Sequence, residues 1–430
     1  MRIVCIGNMN NIIAPSAQYL AEMGHDVDLF LLHEFDHFRP EAEYNDANDI
    51  KFNIKKIDMD FGEVMKVDIK ILKQYFLGYD FYIGTDYSPA LLARLNLRLD
   101  YFAWAGTDLF EWPFYKSNYI LPKIWEVDKL RSSVLQKIGI RNAKFLPMSI
   151  NNDFILEALK KVKIKGSIIN PLPFIYYPNL LANRTGKEEI ISKILKLREN
   201  SNLLLVQQSR QWWFSAPDNV SKGNDIFIKG LHKFKKENRN IKFTLILFEY
   251  GGDVTKTKEL IDKLGLEKNV FWVPKMHRKD LLQILRLADI GVGQFGKESW
   301  YLYCSNAEII SSRISYLGYR KDDYYESKKV ELYPMINASN EYEICDALNS
   351  YLLNRNNYKK DSEKAFIWLM NYNQNSFIEG INRIINSPTS KHLSLNNYLI
   401  IKIYFIYTWF IKVLNILLIK LNVFSKKVIL

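Results

Sequence analysis

Apolar residues in this chain fall into two alternating rhythms. Short, nearly continuous runs rich in Ile, Leu, Val and Phe alternate with longer stretches in which apolar positions recur every three or four residues. The first pattern predicts strands buried on both faces, the second amphipathic helices. The clearest succession lies between Leu203 and Tyr319. Strands are predicted at Leu203–Gln207, Phe243–Phe248, Val270–Val273, Ile290–Gln294 and Ile314–Leu317, with helices at Asp225–Glu237, Thr255–Leu264, Lys279–Leu287 and Asn306–Arg313 between them. Strands that alternate with helices imply βαβ units and a parallel sheet, and such sheets bind ligands beyond the carboxyl ends of their strands.

The first 150 residues carry the same rhythm more faintly. Strands are expected at Arg2–Ile6, Val27–Leu32, Tyr79–Gly84, Tyr101–Ala105 and Lys144–Pro147, with helices at Ala14–Met23 and Pro89–Leu97. Gly24 follows the first helix as a C-cap. Residues 33–66 are polar and acidic and fit no element. The expected organisation is an N-terminal α/β domain over residues 1–150, a Lys-rich crossing region over 151–200, a second α/β domain over 201–388, and a tail over 391–430. Leu399–Phe424 is apolar almost throughout, interrupted by Lys402, Lys412 and Lys420. On a helical wheel Asn397, Thr408, Lys412, Asn415 and Asn422 share one arc. That pattern is expected of a helix lying in a membrane interface, with packing onto the first domain and a membrane span as alternatives.

Length and composition narrow the class. A chain of 430 residues with 48% hydrophobic content has material for two cores. Its net charge of +12 suits phosphates or anionic lipid. No Lys/Arg block interleaved with aromatics is present, so no nucleic-acid partner is expected. Cys5, Cys304 and Cys345 are scattered without CxxC spacing, which suits a reducing compartment, and the first residues lack the long apolar core of a signal peptide. The catalytic part is expected in the cytoplasm. The six histidines show no metal spacing; His33 and His37 lie four apart with no third ligand in view.

Candidate chemistry sits at the turns after the strands. Ser209-Arg210-Gln211-Trp212-Trp213 follows the strand Leu203–Gln207, and Ser221-Lys222-Gly223-Asn224-Asp225 opens the next helix. A helix N-terminus with Arg210 and Lys222 makes a diphosphate site. The plain alternative is that Asn224 or Asp225 caps the helix and both cations are solvated. Gly251-Gly252, after Phe243–Phe248, lets backbone approach a ligand or simply turns the chain. Gly293-Gln294-Phe295-Gly296-Lys297-Glu298 leads to a helix with Glu308 in its first turn, where a carboxylate suits the helix dipole and can accept hydrogen bonds from a ribose diol. Trp212 and Trp300 are the aromatic candidates for ligand contact. No Asp-x-Asp, P-loop or Ser-His-Asp arrangement is present.

These turns resemble the nucleotide-sugar half of GT-B fold glycosyltransferases, family 4 above all. "KGNDIFIKGLHKF" is similar to that family's "KG.D" segment, "LILFEYGGDVTKTKELIDKLGLEKNVFWVP" to its glycine turn and third strand, and "AEIISSRISYLGY" to its "EAMACGRPVIGY". The likeness is specific over residues 203–319. In the first half, "FAWAGTDL" (Phe102–Leu109) resembles the family's "HGTDL" turn. The resemblance implies two Rossmann-like domains facing a cleft, an α/β GT-B architecture with an apolar C-terminal helical tail. It implies Arg210 and Lys222 on the donor diphosphate, Gly251 and Gly252 lining it, and Glu308 on the ribose. Glu298 becomes the candidate beside the transferred sugar, and Asp108 the candidate for orienting the acceptor or the developing charge. The family pairs two glutamates eight positions apart, whereas Glu298 and Glu308 are ten apart; its His before Gly-Thr-Asp is Ala105, and its N-terminal glycine pair is replaced by "GNMNN".

The function so implied is metal-independent, retaining transfer of a hexosyl or related sugar from a nucleoside-diphosphate sugar, with no cofactor. The acceptor would be a glycolipid or surface-polysaccharide intermediate, and the tail would hold the enzyme on the anionic inner face of the cell membrane. The rival readings are an inactive GT-B nucleotide-sugar-binding or scaffold protein and a sugar-nucleotide epimerase.

Overall fold

The computed structural model describes the chain apart from residues 33–38, 45–46, 58, 120, 148–152, 170–171, 174, 177–186, 219, 298–300, 303, 386–390 and 421–430. The chain divides into two units. The first comprises Met1–Pro40, Asn48–Pro173 and Ser376–Leu430; the second comprises Glu41–Ala47 and Phe174–Asn375.

Among the described residues the first unit carries seven strands: β1 (Arg2–Ile6), β2 (Asp26–Leu31), β3 (Asn53–Lys56), β4 (Phe81–Gly84), β5 (Tyr101–Phe102), β6 (Phe145–Pro147) and β7 (Ser167–Ile169). They pair in the order β3-β2-β1-β4-β5-β6-β7, every neighbour parallel. The strand order reverses between β1 and β4, the topological switch point of a doubly wound sheet. Its helices are α1 (Ala14–Glu22), α2 (Ile69–Phe76), α3 (Ser88–Arg94), α4 (Thr107–Phe110), α5 (Ile124–Asn142) and α6 (Asp153–Val162). The sequence RIVCI shows why β1 is central: Ile3, Val4, Cys5 and Ile6 are fully buried, so both faces are covered.

The second unit repeats the plan. β8 (Leu203–Gln207), β9 (Phe243–Glu249), β10 (Val270–Pro274), β11 (Ile290–Val292), β12 (Ser315–Gly318) and β13 (Ile336–Asn337) pair in parallel as β10-β9-β8-β11-β12-β13. The switch point lies between β8 and β11. Helices α7 (Glu188–Glu199), α8 (Asn224–Glu237), α9 (Val254–Lys263), α10 (Arg278–Leu287), α11 (Cys304–Ser311), α12 (Asp322–Ser327), α13 (Glu341–Leu353) and α14 (Arg355–Leu369) surround this sheet. Phe227, Leu231 and Phe234 of α8 are fully buried against Leu203, Leu205 and Leu245. Burial of each such side chain contributes about 1.5–3 kcal/mol, which fixes α8 and hence the turn before it.

The chain then returns to the first unit through α15 (Ser376–Ile385) and α16 (Leu395–Lys420). α16 packs along α5, and its Ile401 joins the first unit's core. Polar contacts add to this packing. Asn397 Nδ2 donates to Asn142 Oδ1 (2.8 Å), Arg131 Nε to Thr408 Oγ1 (2.7 Å), Lys412 Nζ to Asp128 Oδ1 (2.9 Å) and Asn415 Nδ2 to the Pro122 carbonyl (3.0 Å). Partners on α16 ascend as those on and before α5 descend, so the two helices run antiparallel. Four of the five residues on the expected polar arc therefore face protein; Asn422 lies outside the described residues.

Candidate functional site

At the switch point of the second sheet, β8 ends in Gln207, and the buried Gln208 and Ser209 follow. Gln208 Nε2 donates to the Ser305 carbonyl (2.7 Å), while Gln208 Oε1 and Ser209 Oγ are buried with no hydrogen-bond partner among the described residues. A buried polar atom left so costs about 1–3 kcal/mol, a cost that a bound ligand can remove.

The turn into α8 is built on Gly223. Its φ is +62°, and a Cβ there would lie 2.5 Å from the Gly296 amide nitrogen, so the backbone of the 293–296 loop closes directly on it. No side chain caps α8. Asn224 instead donates to Gln207 Oε1 (3.3 Å) and accepts from the Trp212 amide (3.2 Å), and Asp225 pairs with Lys229. Lys222 is buried, not solvated. Its Nζ donates to Gln294 Oε1 (3.1 Å), and its carbonyl accepts from the Phe295 amide (3.0 Å). Burial, and then the nearby Arg210 guanidinium, pull its ammonium down to about 7. Arg210 is exposed and stacks over the Trp212 ring at 4.2 Å. Two cations thus converge where the first-turn amides of α8 lack side-chain caps, an arrangement suited to an anion.

The Gly-Gly turn after β9 braces this loop. Gly251 has φ +117°, and a Cβ on it would sit 2.3 Å from the Gln211 carbonyl oxygen. The Gln211 amide donates to the Tyr250 carbonyl (2.7 Å), and its carbonyl accepts from the Asp253 amide (2.9 Å). Gly252 is exposed beside this contact. Asp253, unremarked in the sequence, accepts from the amides of Trp213 (2.7 Å), Phe214 (2.7 Å) and Ser215 (3.1 Å). Burial opposes its charge, but a bond from the Ser215 side chain and these amide bonds outweigh burial and hold the carboxyl below its ordinary range. An Asp directly after Gly-Gly was the available signal.

Gln294 joins the turns: it accepts from Lys222 and donates through Nε2 to Ser305 Oγ (3.2 Å) on α11. α11 begins at Cys304 rather than Asn306, because Ser305 and Asn306 are already helical. Glu308 consequently lies in the second turn, outside the reach expected of the helix dipole. It is buried. Arg278 of α10 donates from Nε to Glu308 Oε1 (2.7 Å) and from Nη1 to Glu43 Oε1 (2.6 Å). Burial opposes the charge on Arg278, and the two carboxylates outweigh it, so it stays cationic. Burial raises Glu43 to about 7 despite Arg278. Glu43 belongs to the stretch 41–47 that completes the second unit, and Lys279 Nζ holds the same stretch at the Tyr44 carbonyl (3.0 Å). Glu298 and Trp300 lie outside the described residues.

In the first unit, Asp108 of α4 is buried. Its Oδ1 accepts from the amides of Ala105 (3.0 Å) and Gly106 (2.7 Å), and its Oδ2 accepts from the amide of Asp86 (3.1 Å). Burial, then the Asp86 charge, raise its carboxyl to about 7. Gln136 clamps the same place, donating to the Asp86 and Asp108 carbonyls (2.8 and 3.0 Å). Asp108 thus pins the turn after β4 to the turn after β5. Among the described residues no cluster of three His, Cys, Asp or Glu side chains is placed to hold a metal.

By sequence, the chain matches no family model and no curated protein. By structure, it is similar to HepE of Anabaena, solved in complex with UDP and glucose (TM-score 0.58, 14% identity, covering 90% of this chain and 100% of that one). It is similar to a glycosyltransferase from Rickettsia africae (TM-score 0.55, 17% identity, 90% and 99%). It is also similar to a putative UDP-N-acetylglucosamine 2-epimerase from Listeria monocytogenes (TM-score 0.53, 12% identity, 92% and 99%). At these identities the likeness is one of fold. Two parallel, doubly wound units with an apolar C-terminal helix make the chain an α/β protein of the GT-B fold.

Proposed function

We propose that this GT-B chain is a glycosyltransferase that moves a sugar from a nucleoside-diphosphate sugar to an acceptor hydroxyl. The observation that carries the proposal is Lys222: a buried ammonium, drawn down to about 7, beside a second cation and an N-terminus with no side-chain cap at the second sheet's switch point. Lys222 and Arg210 neutralise the diphosphate as it leaves, and the first-turn amides of α8 share its charge. The turn at Gly251 and Gly252 shapes the loop that carries Arg210. Glu308 receives the ribose diol, with Oε1 already oriented by Arg278. Glu298 is assigned the contact with the transferred sugar, and Asp108 acts through the turns it ties together. The scheme uses no metal and follows the retaining course. The acceptor is a lipid-linked or surface-polysaccharide intermediate on the cytosolic side of the membrane, as the basic, apolar tail suggests.

Thermal stabilisation by UDP, GDP, ADP, CMP and their sugars tests the donor half. A ligand at 100 times its Kd adds about 2.7 kcal/mol of stability. One nucleotide series is expected to stabilise the wild type strongly and Glu308→Gln and Lys222→Met weakly. No shift with any nucleotide overturns the proposal. Chromatography of the incubated donor then separates the rivals. A transferase releases nucleoside diphosphate at a rate that rises with acceptor, an epimerase yields the epimeric sugar without acceptor, and an inactive binder leaves the donor intact.

A further inference from the structure

The polarity of α16 is inverted relative to a surface helix of a water-soluble domain. Four of its polar residues, Asn397, Thr408, Lys412 and Asn415, pack against protein, while Asn396 and Lys402 are exposed. Its outward stripe is Leu399, Ile403, Ile406, Phe410, Leu414 and Leu417, spaced three and four apart along one face and all exposed, Ile403 by 66% and Phe410 by 60%. At 1.5 Å per residue the stripe runs about 27 Å. An exposed apolar face of that length marks an interaction surface.

Its surroundings identify the partner. From Lys391 to Leu430 the sequence holds six lysines and no acidic residue. Between the Lys412–Asp128 and Asn415–Pro122 contacts, α5 opens with Trp125, exposed and carrying Lys129 over its ring at 5.0 Å; before Pro122, Tyr119 is exposed with Lys123 over its ring at 4.7 Å. Apolar residues flanked by Trp, Tyr and Lys match the boundary between acyl chains and anionic headgroups. Among the described residues, Asp128 is the acidic side chain bonded to α16, and it is already paired with Lys412 and Arg131. Contacts with the protein from Asn397 to Asn415 hold the helix alongside α5, which a membrane-spanning helix would have to abandon.

We infer that the outward face of α16 is a bilayer-docking surface: the helix lies flat, its polar side locked to α5, its apolar stripe sunk into an anionic membrane. The inference sharpens the proposed location on the inner face of the cell membrane but is argued from α16 and its neighbours, so it does not depend on donor chemistry.

The test is flotation of the full chain with vesicles of phosphatidylcholine alone and with 30% phosphatidylglycerol, beside Ile403→Glu/Phe410→Glu. The wild type is expected to float with the anionic vesicles, less in high salt. The double variant should lose at least about 30-fold in partitioning. It should keep the wild-type melting temperature and donor-induced shift, which separates failure here from failure of the transferase reading. Three results overturn the inference: equal flotation of the variant, a wild type that ignores vesicles but dimerises through this face, or a chain that resists alkaline carbonate extraction from membranes as a spanning helix does.

Discussion

On the proposed function, Lys222 would make donor binding a proton-coupled event. In the free protein its ammonium titrates at about 7, lowered first by burial and then by Arg210. A diphosphate placed between the two cations favours the charged form, so the pKa in the complex lies higher and binding takes up a proton. The sign follows: affinity is greatest below pH 7 and falls as pH rises through 7. If only the ammonium form binds, the competent fraction is about 0.9 at pH 6 and about 0.03 at pH 8.5, a loss of about 30-fold. Calorimetric titration with a nucleoside-diphosphate sugar in a Glu43→Gln background reads this, because neither phosphate of the diester titrates in that range and Glu43, which titrates near 7, is removed. Repeating it in two buffers of different ionisation enthalpy counts the protons, about 0.5 at pH 7 and approaching one at pH 8.5. Ionic strength must be held constant, since it acts on the same charges. Lys222→Met should bind weakly with a flat profile. A wild-type affinity that is level from pH 6 to 8.5, with no proton uptake, would refute the reasoning.

The same residue burdens the unliganded fold. Its folded pKa is below the unfolded value of 10.5, so wild-type stability rises with pH between about 7 and 10.5, and Lys222→Met should gain at most about 4 kcal/mol at pH 7 in urea denaturation. Arg278→Met leaves Glu43 and Glu308 buried without their cation and should cost about 3–5 kcal/mol by the same measurement. Glu43 is the opposite case in sign: its folded pKa is raised to about 7 from 4.5, so stability present below pH 4.5 is lost as pH rises through 7, and Glu43→Gln should gain on the wild type between pH 5 and 8. Gly251→Ala must push apart the Gln211 carbonyl at an unfavourable φ, and should cost about 2 kcal/mol and weaken donor binding, read by melting and titration together.

Local pattern carried much of the fold. β8 was legible to the residue, and the other predicted strands of the second sheet moved by one or two residues, because short buried runs and their bounding turns are local properties. Lys222 and the 293–296 loop were each legible as strand-end turns, but the bond from Lys222 to Gln294 was not. What escaped depends on distance along the chain. Nothing near Glu43 announces Arg278, 235 positions away, so the polar stretch after β2 fitted no element. Nor does periodicity say which side of an arc meets protein: it marked the polar stripe of α16 but not that α5 would take it. Asp108 reads the same as a catalytic carboxylate or as a turn clamp until the amides of Ala105, Gly106 and Asp86 are seen on it.

The order of segments in the first unit has a consequence for biogenesis. Its sheet is complete in sequence by β7, yet α16, which covers α5, is translated only after the whole second unit. Asp128 and Arg131 on the nascent chain therefore wait in water for Lys412 and Thr408, while the contiguous stretch 174–375 can already fold against the early strap bearing Glu43. The apolar stripe emerges after the second unit, when the surface that orients it already exists. Ribosomal timing thus limits how long a sticky helix is loose in the cytosol.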